Sequence, residues 1–252
     1  MKPVLFVTNF APPSRIAEFA ALADQQQVEF ALVGGRMRHA GGKADQLPFP
    51  HRHLSERGVL RLAASGRYRA IICGTAGRVA LPAAYAGARR SGVPFILWTG
   101  LWAHPRTLAH AASWLPLRHI YRHADAIVTY GPHVSRYVRQ LGAKQVFEAP
   151  QAVDNEFWAS PATNPIPTIP FRAMFVGRFE REKGIECLLS AWHQLNLPHG
   201  ETELLVVGEG TLQPERLAKQ ASVRFAGHLD REQLRNSYAG SDVLVLPSLH
   251  TR

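Results

Sequence analysis

The chain has 252 residues, of which 46% are hydrophobic, and it carries a formal net charge of +10. No apolar run approaches the ~20 residues that a membrane-spanning helix needs, and Met1-Lys2-Pro3 leads into a strand-like run instead of a signal peptide. We therefore expect a cytoplasmic protein that can bury one large core or two smaller ones.

The net positive charge lies in one part of the chain. Before Pro165 there are 19 lysines and arginines against 9 aspartates and glutamates, whereas from Pro165 on there are 10 of each. The first part therefore carries net +10 and the second part none. Such a one-sided field indicates an anionic partner, either a lipid surface, a phosphate-bearing acceptor or nucleic acid, unless it is only a solvated arginine-rich surface.

The first 150 residues alternate short apolar runs with helix-like stretches, the pattern of βα units around a parallel sheet. Strands are predicted at residues 4–8, 28–33, 70–73, 95–98, 126–129 and 145–148. Helices are predicted from an N-cap candidate at Ser14 to about residue 24, and at 55–65, 77–91, 106–123 and 132–140. The pattern predicts one Rossmann-like domain over residues 1–150.

A stretch rich in Pro, Asn, Thr and Ser follows and predicts an interdomain linker at residues 151–170. The alternation then restarts, with strands predicted at 173–176, 204–207, 223–225 and 243–246 and helices at 185–195, 212–220 and 231–238. These elements predict a second Rossmann-like domain over residues 171–252. Because an open doubly wound domain usually has more elements, we expect this domain to be incomplete and the chain to be C-terminally truncated.

Two cysteines and a histidine pair bear on metal chemistry. Cys73 and Cys187 lie far apart, each in an apolar stretch, which excludes a disulfide framework and predicts two buried small hydrophobic side chains. His119 and His123 have an i, i+4 spacing compatible with zinc, but no further ligand is near them in sequence. We expect solvated or stacked histidines and no metal.

The segment from Gly177 to Gly184 carries the most specific chemistry. A predicted strand ends at Gly177, the next loop holds Arg178 and Lys183, and a helix is predicted to begin near Lys183. Such a junction presents backbone N–H groups and a positive helix end to an anion, and the planar guanidinium and compact ammonium suit a diphosphate. The alternative is that both cations only pair with neighbouring carboxylates, those of Glu180, Glu182 or Glu186.

Four ordered segments extend this motif. Residues 175–185 read FVGRFEREKGI, and VGEG at 207–210, VRFAG at 223–227 and DVLVLPS at 242–248 follow. In order and spacing they resemble the C-terminal domain of family-4 glycosyltransferases, which have the GT-B fold. The first domain agrees more loosely, through its Rossmann pattern and DAIVTYGP at 125–132. The resemblance implies an α/β, GT-B-like chain with two Rossmann-like doubly wound domains.

The resemblance also implies roles for particular residues. Arg178 and Lys183 would be catalytic, holding the donor pyrophosphate and stabilising negative charge as the nucleoside diphosphate departs. Gly208 and Gly210 would let the backbone lie close to the nucleotide. The full implied donor-binding set is Gly177, Gly208, Glu209, Gly210, Phe225, Gly227, His228 and Ser248.

The implied reaction is transfer of a sugar from a nucleotide sugar to a glycan or lipid-linked acceptor, with retention at the anomeric carbon. The family needs no essential metal, because fixed cations replace it, and no other cofactor. An oxocarbenium-like transition state makes leaving-group stabilisation a large part of catalysis. By analogy with the family we expect a role in surface polysaccharide biosynthesis.

The chain departs from the family pattern in three places. The first loop reads FAPPS at 10–14 where the family commonly has a Gly-Gly pair. A histidine that the family often places near the sugar would fall near Gly100, and the nearest one is His104, which we take as a candidate catalytic residue or else a loop or capping histidine. The acidic Glu-x7-Glu segment that follows Pro-Ser in the family does not occur, so we expect this chain alone to show little or no transfer.

The run at 102–123 mixes Trp and Leu with Arg106, Arg118 and Arg122. It predicts a basic amphipathic element lying in an anionic membrane interface, on the inner face of the cell membrane, or alternatively a core helix with snorkelling arginines. We favour the membrane, because the charge of the first domain agrees with it.

Four other functions differ in what they require of the sequence. The loop after the first strand excludes a G-x-G-x-x-G dinucleotide-dependent oxidoreductase, and no recognisable module supports nucleic-acid binding. A nucleotide-sugar epimerase of the same architecture remains open, as does an inactive or binding-only remnant.

Overall fold

The computed structural model describes residues 1–12, 15–34, 47–75, 79–103, 108–164, 166–198, 200–216, 218 and 220–249, without the side chains of 108–112. The chain divides into two compact units, Met1–Asp154 and Asn155–Arg252. The units are called unit 1 and unit 2 below.

Unit 1 is built on a seven-stranded parallel sheet with the order β3-β2-β1-β4-β5-β6-β7. Its strand order reverses between β1 and β4, which is the switch point of a doubly wound sheet. The strands are β1 Val4–Thr8, β2 Val28–Leu32, β3 His51–His53, β4 Ala70–Gly74, β5 Phe95–Thr99, β6 Ala126–Thr129 and β7 Val146–Glu148. The helices are α1 Ile16–Gln26, α2 Glu56–Ala63, α3 Ala80–Ser91, α4 Leu108–His123 and α5 Pro132–Gln140.

Period-two alternation in the strands produces the two core layers of unit 1. In β1, Val4 and Phe6 pack with Phe19 of α1 in one cluster, whereas Leu5 and Val7 pack on the opposite face with the buried residues of α2 to α5. Both faces of the sheet are therefore covered, which explains why its central strands are apolar throughout.

The sequence predicts these elements closely, with one omission. Strand β1, strand β6 and helix α5 have the predicted bounds, and the other predicted elements of unit 1 differ at their ends by a few residues. Strand β3 was missed because its three residues, His-Arg-His, show no apolar alternation; it is defined by pairing with β2, where Phe30 lies opposite His51. The N-cap candidate Ser14 lies outside the described residues.

Unit 2 contains a four-stranded parallel sheet with the order β10-β9-β8-β11. Its core again has two faces: Phe175 of β8 packs against Ile185 and Trp192 of α7, and Met174 packs on the other face near Leu234 of α8. The elements are α6 Asn155–Ala159, β8 Phe171–Val176, α7 Ile185–Leu195, β9 Thr202–Val207, β10 Val223–Gly227, α8 Arg231–Ala239 and β11 Val243–Leu244, with short 3-10 turns at Arg181–Lys183 and Pro214–Arg216.

The segment predicted as a linker contains structure of its own. Helix α6 lies within it, and the chain after α6 is hydrogen-bonded to α8: Arg235 Nη1 donates to Ser160 Oγ across 2.7 Å, and Thr163 N donates to Asn236 Oδ1 across 3.1 Å. The guanidinium of Arg235 also lies 4.7 Å from the centre of the Phe157 ring. Aromatic and hydroxyl side chains in this part of the predicted linker therefore have partners on α8.

Helix α7 has the predicted bounds, Ile185–Leu195; it does not start near Lys183, because Gly184 has φ +68° and closes the preceding 3-10 turn. Three other predictions for unit 2 are corrected. In the described part of 212–220, where a helix was predicted, the regular structure is the turn Pro214–Arg216, and β11 is two residues long. Cys187 is exposed, since the buried face of α7 is formed by its neighbours at helical spacing.

Cys73 is buried as predicted, and burial raises the pKa of its thiol. The rings of His119 and His123 are stacked with their centres 4.2 Å apart, which confirms the prediction of a stacked pair. None of the helices in the described part of the chain combines the length and apolar character needed to cross a membrane.

Candidate functional site

The two predicted cations lie at the carboxyl edge of the unit 2 sheet, in the loop after β8. Arg178 Nη2 donates to Glu182 Oε1 across 2.7 Å, and the two side chains are 57% and 52% exposed. This is the carboxylate pairing that the sequence left open as an alternative. Because an exposed ion pair contributes at most about 1 kcal/mol, a diphosphate could exchange with Glu182 at little cost.

Lys183 is brought towards the same strand end by the 3-10 turn. Its N–H donates to Glu180 O across 2.9 Å, and a β-carbon added at Gly177 would lie 3.9 Å from Lys183 Cγ. The stem of Lys183 is thus beside the end of β8. In the part of the chain that the structure describes, no ion pair involves Lys183, which leaves its ammonium available to an anion.

Three strand ends meet beside these cations. Gly208 N donates to Gly227 O across 2.8 Å, and Phe179 N donates to Glu209 O across 3.0 Å. Gly208 has φ +130°, and a β-carbon there would come within 1.9 Å of Gly177 O. Only glycine allows this approach, so the loops after β8, β9 and β10 form one packed edge.

The remaining predicted donor residues take different positions at this edge. Gly210 lies against Phe179, where a β-carbon would come within 2.4 Å of the Phe179 carbonyl oxygen. Phe225 is half-buried with its ring centre 6.3 Å from that of Phe179, whereas His228 is exposed. The structure therefore brings the glycines and Phe225 to the strand ends that surround the cations.

Ser248 is exposed on the segment after β11, which lies against the donor loop. Leu249 N donates to Glu182 O across 2.8 Å, and a β-carbon at Gly184 would come within 2.1 Å of Pro247 O. All predicted site residues of unit 2 consequently belong to one region. His104, the remaining candidate, lies outside the described residues.

Unit 1 has a cavity of about 200 Å³ at the carboxyl edge of its sheet, beside the switch point between β1 and β4. Ligands of open α/β sheets bind at this position. Sequence reasoning missed most of its wall, because the lining side chains come from five separate segments. They are Phe6, Thr8, Asn9, Phe10, Pro12, Arg15, Phe19, Gly74, Thr75, Trp98 and Tyr130.

A wider hollow of about 510 Å³ lies at the opposite, amino edge of the same sheet. Its Glu29 pairs with Arg52 and accepts a hydrogen bond of 2.9 Å from Tyr68. Burial, together with this carboxylate, raises the pKa of Tyr68 to about 12. The polar groups are thus engaged with each other, and we assign this hollow a structural role.

Comparisons with known proteins agree with this geometry. Residues 170–252 match the model of the family described as Glycosyl transferases group 1. A glycogen synthase of Mycobacterium tuberculosis is 32% identical over 146 residues, which are 54% of this chain and 34% of the mycobacterial protein. The matched region thus spans about a third of that relative.

Solved structures extend the likeness to the whole chain. Anabaena HepE in complex with UDP has a TM-score of 0.72 and 16% identity, covering 98% of this chain and 74% of that one. A putative UDP-N-acetylglucosamine 2-epimerase from Listeria monocytogenes has a TM-score of 0.65 and 11% identity, covering 96% and 73%. The chain has a GT-B-like α/β fold, and its second unit is similar to group 1 glycosyltransferases.

Proposed function

We propose that this chain is a glycosyltransferase that binds a nucleotide sugar through the carboxyl edge of unit 2 and an acceptor through unit 1. The observation that carries the proposal is that Arg178 and Lys183 lie together at an edge where three glycine-containing strand ends meet. The match of this same segment to the group 1 family supports it. Because similar structures hold UDP and UDP-glucose, a uridine diphosphate sugar is the proposed donor.

The proposed chemistry is leaving-group departure assisted by fixed charge. The guanidinium of Arg178 exchanges Glu182 for the diphosphate, and the ammonium of Lys183 contacts it from the side of Gly177. As the bond from the anomeric carbon to the diphosphate oxygen breaks, both cations stabilise the negative charge. The acceptor hydroxyl oxygen then bonds to the anomeric carbon on the face that the diphosphate leaves, and its proton passes to the departing diphosphate oxygen. We propose retention of configuration without an essential metal.

The other donor residues shape the nucleotide subsite. Gly208 and Gly210 let the strand ends pack closely, so that their backbone lies beside the nucleotide. Gly227 leaves room for the nucleotide, and Phe225 lies beside the base. Glu209, His228 and Ser248 contribute polar groups around the sugar and ribose. On the acceptor side His104 stays a proposed substrate contact.

We further propose a glycan or lipid-linked acceptor, surface polysaccharide biosynthesis, and a cytoplasmic protein that binds peripherally to the inner face of the membrane. What supports the membrane contact is helix α4. Ile120 and Tyr121 are buried in unit 1, whereas Arg118 and Arg122 are exposed. Outward-facing arginines and net positive charge suit an anionic lipid surface.

A nucleotide-sugar epimerase is the second candidate, because structures of that activity share the fold. Both functions begin with departure of the nucleoside diphosphate, so they share the cation pair. Analysis of products from a UDP-sugar, with and without an acceptor, distinguishes them. A transferase forms a new glycosidic bond only with acceptor, whereas an epimerase changes the sugar without one.

The central test measures UDP binding and UDP release from UDP-glucose for three alanine variants. Arg178→Ala and Lys183→Ala should each weaken UDP binding to this chain. In a chain that also carries the acidic Glu-x7-Glu segment of the family, each should lower kcat by roughly 100-fold. Arg181→Ala is the matched control, because this exposed arginine lies in the same turn and should leave both quantities nearly unchanged. UDP affinity equal to that of the unmodified chain in both test variants would sink the proposal.

A further inference from the structure

The cavity at the switch point of unit 1 has a cationic wall. Among the described residues that line it, Arg15 is the only charged side chain. Its side chain is 13% exposed, and its guanidinium carbon lies 5.0 Å from the centre of the Phe19 ring and 5.3 Å from that of Trp98. The aromatic rings therefore hold the guanidinium in a partly desolvated position, where its attraction for an anion is strengthened.

The internal partners of Arg15 use only part of its hydrogen-bonding capacity. Its Nε donates to Glu18 Oε2 across 3.1 Å, and its Nη1 donates to the Tyr130 hydroxyl across 3.2 Å. A guanidinium has five N–H donors, so donors remain for a ligand. Because Glu18 contacts one nitrogen and is not among the described lining residues, it does not fill the fork of Arg15.

The wall also contains the indole of Trp98, whose Nε1 has no hydrogen-bond acceptor among the described residues. That nitrogen is buried, so Trp98 contributes its ring to the cavity and not a donor that a ligand reaches. The charged donor in the described lining is therefore the guanidinium of Arg15. The carboxylate that pairs with it, that of Glu18, lies outside the described lining.

The position of Tyr130 is fixed by a glycine. A β-carbon at Gly100 would come within 2.6 Å of Tyr130 Cδ2, so any larger residue there would displace the ring. Gly100 is also where the family resemblance would place a histidine. The loop after β1 likewise has FAPPS in place of a glycine pair. At both positions where it departs from the family pattern, this chain therefore has aromatic and cationic side chains around the cavity of unit 1.

We propose that this cavity binds an anionic group of the acceptor, a carboxylate or phosphate ester on its sugar, and that Arg15 determines this specificity. The inference rests on the proposed glycosyltransferase function. The guanidinium fork of Arg15 binds the anion, while the rings of Phe10 and Tyr130 provide surface for the apolar face of the sugar.

The test compares binding of glucose, glucose 6-phosphate and glucuronate to the full chain by calorimetry or ligand-observed NMR. The unmodified protein should bind at least one of the two charged sugars about 10-fold more tightly than glucose, and the stronger one identifies the group as phosphate or carboxylate. Arg15→Gln should abolish the preference. Arg52→Gln, which removes an equally carboxylate-paired arginine at the opposite edge of the sheet, should retain it.

Arg15→Lys keeps the charge but lacks the planar fork, so it should retain the fold and show a reduced preference for the charged sugars. It replaces Arg15→Gln as the test variant if Arg15→Gln fails to fold. Equal binding of glucose and both charged sugars would overturn the proposal, as would an unchanged preference in both Arg15 variants. UDP binding by unit 2 is measured in the same samples. Its loss reports failure of the proposed function, whereas its persistence with no anion preference reports failure of this inference alone.

Discussion

Arg178 and Glu182 form an ion pair in the loop after β8, four positions apart in the chain, while the backbone carbonyl of Glu182 accepts a hydrogen bond from Leu249 N–H. The Glu182 carboxylate thus occupies the guanidinium that the proposed donor diphosphate requires. Its backbone, in contrast, is held independently of that side chain. Under the proposed function, Glu182 therefore competes with the donor without being needed to shape the loop.

Glu182→Gln should consequently tighten UDP binding by up to about 5-fold, because the variant removes a competing charge worth at most about 1 kcal/mol. Isothermal titration at low salt measures the change. Glu186→Gln removes an equal charge from the first turn of α7 and should have a smaller effect. Unchanged or weaker binding in Glu182→Gln would show that the ion pair supports the donor site instead of competing with it.

Gly208→Ala should destabilise unit 2 more than Gly200→Ala and also weaken UDP binding. Both glycines have positive φ, but a β-carbon meets the Gly177 carbonyl oxygen only at Gly208, whereas nothing lies within 4 Å at Gly200. Backbone strain alone costs about 1 kcal/mol, which Gly200→Ala measures. Urea unfolding and UDP titration check both effects, and equal losses in the two variants would contradict the close packing of the strand ends.

Glu203→Gln should cost roughly 1–3 kcal/mol of stability, because it removes the carboxylate partner of the buried Arg172. Arg172 is 2% exposed and donates from Nε to Glu203 Oε1 across 2.8 Å. Arg224 contacts the same oxygen but is 46% exposed, so Arg224→Gln should cost less than about 1 kcal/mol. Chemical denaturation of both variants tests this order, and a reversed order would refute the structural role of the buried pair.

The stability that the Glu203 carboxylate contributes should depend on pH in the acid range. Burial acts to raise the pKa of Glu203, but hydrogen bonds and charge from Arg224 and Arg172 outweigh it and lower that pKa. The folded pKa thus lies below the unfolded value of about 4.3, so the contribution is complete above that pH and is lost as the pH falls through the folded pKa. The stability difference between the unmodified chain and Glu203→Gln should shrink below about pH 4; a constant difference from pH 6 to pH 3 would exclude this linkage.

Exchange of Arg118 and Arg122 for Glu should weaken binding to vesicles that contain anionic lipid, and binding should fall steeply with added salt. The third arginine of the basic run at 102–123, Arg106, lies outside the described residues. Arg216→Glu in unit 2 changes the same kind of charge away from α4 and serves as the control. Vesicle flotation measures the effect, and equal binding to neutral and anionic vesicles would eliminate the membrane proposal.

Much of the donor region could be predicted from sequence because its residues lie close together along the chain. Arg178, Lys183 and the following glycines occur in an ordered series, and a parallel sheet brings successive strand ends to one edge. The roles of these residues remain predictions. The sequence could not identify the partner of Arg178, because Glu180, Glu182 and Glu186 all lie close to it along the chain. The local turn of the backbone selects Glu182.

The amino-acid sequence by itself determined the alternation of strands and helices, because apolar period and turn residues act over short distances. The tertiary structure alone decided which polar and aromatic side chains became neighbours. Arg15 and Tyr130 are hydrogen-bonded across 115 positions of the chain. Phe157 of α6, in a stretch with the composition of a linker, lies against the guanidinium of Arg235 on α8. Such contacts depend on strand order and helix packing. Burial of apolar surface brings distant segments together, and a local sequence pattern does not show which segments meet.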